Sequence, residues 1–213
     1  MDLYLSLASV LGALLIGAIS PGPSFVLVAR TSIAVSRVDG LCMAVGMGVG
    51  GVIFAVLVLA GLQAVLSSVP WLYTALKLCG GLYLVFLAVQ IWRGAKQPLI
   101  VSQERAGLPA SPLKSFALAL LTQISNPKAV VVYGSIFAAL LPPDLPLAAM
   151  LLLPVLVFLI ETGWYTIVAL MLSTKSSTAL YLNSKTALDR FASLVMGALG
   201  ARLLLESGRH STV

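Results

Sequence analysis

Ile124-Ser125-Asn126-Pro127-Lys128-Ala129 lies near the middle of an apolar run from Ser115 to about Leu141. The run is long enough to cross a bilayer, whose hydrocarbon core of about 30 Å takes roughly 20 helical residues. A lysine at the centre of such a helix costs roughly 2.5 to 3.5 kcal/mol on insertion scales. Proline removes a backbone donor and clashes with the preceding turn. Whatever compensates these two residues is the first pointer to function.

The remaining sequence sets the context for that stretch. Of 213 residues, 60% are hydrophobic and only 9% charged, and the mean hydropathy is +1.06. Soluble domains carry about one quarter charged residues, so the chain reads as an integral membrane protein. Long apolar runs separated by short polar segments indicate a helical bundle; a barrel would show short alternating strands. The net charge of +6 is spread over separate connections with no basic stripe, which argues against nucleic acid.

Six runs are expected to span the membrane: Leu3 to Ala29, Gly40 to Leu66, Trp71 to Trp92, Ser115 to Leu141, Leu147 to Leu172, and a short last run from Phe191 to Leu205. No Lys or Arg precedes Arg30, so the first run lacks the basic flank of a signal peptide and is read as a spanning helix. The fold class is all-α integral membrane, organised as one transporter domain over 1–213: a first repeat over 1–93, a cytoplasmic linker over 94–114 and a second repeat over 115–206. Ser173 to Asp189 is rich in Ser and Thr and reads as a connection. Nine basic residues, Arg30, Arg37, Arg93, Lys96, Arg105, Lys114, Lys175, Lys185 and Arg190, fall on one face. That face is expected to be cytoplasmic, with both termini periplasmic.

Three spans per half place the halves in opposite orientation, and their first helices are interrupted alike. Ser20-Pro21-Gly22-Pro23 breaks the first run and Ser125-Asn126-Pro127-Lys128 breaks the fourth. Corresponding broken helices in inverted halves mark a transport site near the midplane. Ser20 and Asn126 suit N-caps, and Pro21 and Pro127 suit the first helical position. Each break then starts a half-helix whose positive end favours an anion. Lys128 adds a full charge, and an amino-acid carboxylate fits that environment. Glu161, near the middle of the fifth run, supplies an acidic group for a substrate ammonium or an exchanged proton.

Simpler roles stand beside these. Lys128 and Glu161 either serve a substrate or pair with each other to fix helix packing, and the proline motifs are either helix starts or plain kinks. Lys77 belongs to the site or snorkels outward; Trp164 and Tyr165 wall a cavity or pack. Asp39 beside Arg37 reads as a solvated loop charge or a gate. Gln63, Gln90 and Gln123 are amides within spans without an assigned role. Gly46 and Gly50 form a G-x-x-x-G pair, suited to internal packing or to a homodimer. Cys42 and Cys79 lack metal or redox spacing and read as core packing.

The Ser20 to Pro23 start, the glycine-rich Gly40 to Gly51 segment, Lys77 with Gly81-Leu82-Tyr83-Leu84, and Asn126-Pro127-Lys128 come in an order and spacing that resembles the lysine exporter (LysE) superfamily, in particular its threonine and homoserine efflux (RhtB) branch. The resemblance implies a bacterial inner-membrane exporter of amino acids or close derivatives, coupled to protons, with lipid as its surroundings and no cofactor or metal. An ion or metal exporter or channel is an alternative. A thiol-disulfide carrier is disfavoured, because thiolate exchange needs sulfurs at the breaks and both cysteines lie elsewhere. No catalytic constellation is present, and the only histidine is His210 in the tail.

Overall fold

The computed structural model describes residues 3–20, 22–68, 70–97, 108, 111–142, 144–172 and 175–209. Pro21, Pro143, His210 and most of the 94–114 linker, including Pro98, Glu104, Arg105 and Pro109, lie outside the described residues, as do the side chains of Gln63 and Trp71. The described chain forms α1 (Leu3–Ile19), α2 (Pro23–Ala34), α3 (Arg37–Ser68), α4 (Pro70–Gly94), α5 (Pro112–Ile124), α6 (Pro127–Leu140), α7 (Leu147–Met171) and α8 (Lys175–Arg209). Among the described residues there is no strand. Even the Val- and Gly-rich segments are helical, as lipid demands of a backbone that must satisfy its own hydrogen bonds.

The outer surface is apolar. Leu57 on α3, Leu82 and Phe86 on α4, Leu151 and Leu159 on α7 and Leu194 on α8 are all exposed. A soluble protein scatters such residues singly; here they ring the bundle, so it is built to sit in hydrocarbon. α3, over Arg37–Gly61, and α7 are each long and apolar enough to cross a membrane. α1 with α2, and α5 with α6, qualify as bent pairs, each turned by 59° at its break. α5 has 13 residues and α6 has 14, so at 1.5 Å per residue each reaches only about 20 Å. Neither half crosses alone.

Glycine sets the closest approaches. A Cβ on Gly50 would stand 2.6 Å from Gln123 Cγ, and one on Gly46 would stand 3.0 Å from Ala119 Cβ. The G-x-x-x-G face of α3 is therefore filled by α5, and the internal-packing role is the one observed. On the far side of the bundle a Cβ on Gly81 would meet Gly200 O at 3.0 Å, and one on Gly200 would meet Gly81 O at 2.8 Å. This contact lets α4 and α8 lie backbone to backbone.

Three expectations are corrected. α8 runs unbroken through 35 residues from Lys175 to Arg209, so Ser173 to Asp189 is mostly helix and the last element is not a short run. Its polar residues are used internally: Lys185 pairs with Asp189 one turn away, which hydropathy alone reads as a connection. Asp39 is buried and accepts from Ser36 Oγ and, at 2.7 Å, from Ser115 Oγ. It ties the start of α3 to α5 and is no solvated loop charge. Cys79 is exposed and Cys42 half-buried, both as free thiols, so neither is a core residue; a small thiol facing acyl chains carries no penalty that would force it inward.

Candidate functional site

The two breaks meet. At the second, Asn126 is the N-cap of α6, its Oδ1 accepting from the Lys128 backbone N–H at 3.0 Å, with Pro127 at the first helical position. At the first, the cap of α2 is Gly22, in an extended conformation, and Pro23 begins the helix. This shifts the start by two residues from the expected Ser20 and Pro21: Ser20 closes the α1 side of the break instead, its N–H bonded to Ile16 O at 3.3 Å. Ser24, in the first turn of α2, binds across to the other half. Its hydroxyl donates to Gln123 Oε1 at 2.7 Å and accepts from Asn126 Nδ2 at 3.2 Å. Both N-termini, with their unsatisfied N–H groups, are thus fastened side by side.

Lys128 lies where they meet. Its Nζ donates to Gly17 O and Ser20 O, each at 3.2 Å, and a Cβ on Gly22 would be 3.8 Å from it. The ammonium therefore sits between the carbonyl end of α1, whose dipole is negative, and the positive starts of α2 and α6. The first contact stabilises the charge in the apolar bundle. The second keeps it beside donors that share its sign, so an anion arriving there would be attracted by all three.

Glu161 faces the same space from α7. It is 4% exposed, its Oε1 accepts from Tyr133 Oη at 2.9 Å, and Oε2 has no partner among the described residues. Lys128 and Glu161 do not form an ion pair: each has its own partners, and the packing-pair role is not the one observed. Both line the same cavity. Tyr133 is fixed by tilted ring contacts to Phe54 at 5.5 Å and Phe137 at 6.0 Å. A Cβ on Gly51 would stand 2.7 Å from Tyr133 Oη, so that glycine makes room for the tyrosine–carboxylate bond.

These groups enclose a central cavity of about 40 Å³ lined by Ser20, Gly22, Asn126, Lys128 and Glu161 together with Ser24, Gln123, Tyr133 and Tyr165. A water needs only about 10 to 15 Å³ of such space, so the centre admits water and is too small for an amino acid. A second cavity of about 330 Å³ adjoins it, sharing Ser20, Gly22 and Lys128, and is lined also by Pro23 and by Gln90, Gly94 and Gln97 near the end of α4. Lys128 stands between a roomy vestibule and a narrow centre.

The remaining expected residues divide. Pro127 is exposed and acts as a helix start. Trp164 lines neither cavity; its Nε1 donates to Ala18 O at 3.1 Å and ties α7 to the end of α1. Lys77 is buried on α4 rather than snorkelling, and it lines neither cavity. Pro21 lies outside the described residues. The sequence reading missed Ser24 and Tyr133 and gave Gln123 no role. Gln123 stands in the last turn of α5, three residues before Asn126 at the same break, a proximity that the sequence carries; the cross-bundle position of Ser24 and Tyr133 it does not.

Residues 15–207 match the family described as LysE type translocator. The chain is similar to the threonine efflux protein of Salmonella typhi, 31% identical over 194 residues that cover 90% of this chain and 94% of the relative. It is similar to the threonine efflux protein of Escherichia coli K12, at 28% over 193 residues with 90% and 94% covered. A leucine efflux protein of Klebsiella pneumoniae is 30% identical over 123 residues, 55% of this chain and 54% of the relative. No solved structure matches the chain.

Proposed function

The chain belongs to the LysE family, and on that premise we propose that it exports amino acids across the bacterial inner membrane by alternating access around the Lys128–Glu161 centre. The observation that carries this reading is the opposed chemistry of one buried site. Two helix starts and an ammonium answer a carboxylate, while Glu161, on the separate helix α7, answers an ammonium across the same cavity. Small zwitterions carry both groups. A metal cation would meet Lys128 first, which disfavours the ion-exporter alternative.

The substrate carboxylate displaces Lys128 from the Gly17 and Ser20 carbonyls, and the substrate ammonium takes the unpartnered oxygen of Glu161. The 40 Å³ centre must widen for this, which is the work of the breaks: two short half-helices on each side can swing while α3 and α7 hold the frame. Glu161 takes up a proton when the ammonium leaves, coupling export to the proton gradient.

The architecture we propose is six spans in two inverted repeats, over 1–93 and 115–206 with a cytoplasmic linker over 94–114. The first repeat comprises α1 with α2, then α3 and α4; the second comprises α5 with α6, then α7 and α8. Support comes from the equal 59° bends and from the packing of equivalent helices on each other, α3 on α7 and α4 on α8. Arg93, Lys96 and Arg190 adjoin the vestibule residues Gly94, Gln97 and Asp189, which supports a cytoplasmic mouth and, with six spans, both termini outside.

Cells lacking their own exporters and fed threonine-, homoserine- or leucine-containing dipeptides test the function. Expression of this chain is expected to lower the internal amino acid and raise the external one for at least one of the three. Identical pools with and without the protein would reject amino-acid export.

A further inference from the structure

The vestibule holds a second set of charges that the central site does not use. Lys185 and Asp189, one turn apart on α8, are 8% and 4% exposed. Lys185 Nζ donates to Asp189 Oδ2 at 2.8 Å, to Gly94 O at 3.1 Å and to Ala95 O at 3.3 Å. An ammonium has three donors, so this one is fully engaged. Its role is clear: with Thr186 Oγ1, which donates to Ala95 O at 3.0 Å, it closes the carbonyl end of α4.

Asp189 is only half used. Its Oδ1 is buried with no hydrogen-bond partner among the described residues, although an unsatisfied buried acceptor costs free energy. Capping α4 accounts for Lys185 but not for that oxygen. The residue lines the 330 Å³ vestibule, and so does Lys128. The vestibule thus repeats, with more space, the acid-and-base arrangement of the centre.

We propose that the vestibule is a loading subsite for a zwitterion, in which Asp189 takes the ammonium and Lys128 the carboxylate before the molecule passes to Glu161. This rests on the export reading. The carboxylate keeps its hold on Lys128 throughout, so transfer inward exchanges only the ammonium, from Asp189 to Glu161. Asp189 is then a specificity-determining residue for the α-amino group, placed ahead of the narrow centre.

Purified protein in proteoliposomes, loaded from the vestibule side with L-threonine, L-homoserine or L-leucine, tests the subsite. Asp189→Asn is expected to raise KM about tenfold, the loss of one charge-assisted hydrogen bond, with a much smaller change in kcat. The hydroxy-acid analogue of leucine, which has no ammonium, is expected to compete equally well against wild type and Asp189→Asn. Asparagine keeps an oxygen for Lys185 Nζ, so an Asp189→Asn protein that melts in detergent close to wild type separates the subsite from a structural bridge. An unchanged KM in Asp189→Asn, or an equal loss of affinity for the hydroxy acid, overturns the subsite and leaves the exporter standing. If wild type carries none of the three amino acids, the export reading fails and the subsite with it.

Discussion

Lys128→Ala is expected to abolish export while the protein still inserts and folds. Among the described residues the ammonium is the only full positive charge lining the central cavity, and a hydrogen bond to a charged partner contributes about 1.5 to 3 kcal/mol. Its loss lowers substrate affinity by roughly 10- to 150-fold on that contact alone. The N-termini of α2 and α6 remain and supply a weaker attraction. Insertion should not suffer, since removing the charge relieves a cost of roughly 2.5 to 3.5 kcal/mol. The carbonyls of Gly17 and Ser20 lose a donor, but they face a cavity that admits water. External amino acid from dipeptide-fed cells should fall to the level of cells without the protein, with equal protein in the membrane; export at the wild-type rate would remove Lys128 from the site.

Glu161→Gln is expected to be as severe for a different reason. The amide oxygen of glutamine still accepts from Tyr133 Oη, so the bond now measured at 2.9 Å and the packing against Gly51 survive. What disappears is the negative charge, and with it the partner for a substrate ammonium and the carrier for a proton. The variant should therefore melt close to wild type in detergent and transport nothing detectable in proteoliposomes. Retained transport driven by a pH gradient would contradict both assignments. Loss of the folded protein would instead show that the carboxylate serves the bundle.

The sequence made the lipid environment, the two breaks and the residues Asn126, Lys128 and Glu161 legible, because each is costly in hydrocarbon and stands out for that reason. Composition misled at α8: Ser and Thr between Ser173 and Asp189 read as a connection, whereas Lys185 and Asp189 satisfy one another and the end of α4 inside a helix. Asp39 misled in the same way, since its partner Ser115 is 76 residues distant and no local pattern announces it. Cap preference puts the start of α2 at Ser20 and Pro21, whereas its cap is Gly22. With four candidate residues in a row, the choice between Ser20 and Gly22 belongs to the tertiary contacts of the break, above all Ser24 with Gln123 and Asn126. The structure also frees Lys128 and Glu161 from each other, a distinction that two opposite charges in a sequence do not convey.

The most direct measurement is the reactivity of a cysteine placed at Gly22 in a protein whose Cys42 and Cys79 have been changed to serine. Gly22 has ordinary extended geometry, and a Cβ there comes no nearer than 3.8 Å to Lys128, so the substitution fits. A membrane-impermeant thiol reagent added from the vestibule side is expected to modify Gly22→Cys, and L-threonine, L-homoserine or L-leucine to slow the reaction. A thiol that never reacts, or reacts at one rate whatever amino acid is present, would mean that the helix breaks do not form a water-reached, carboxylate-binding centre.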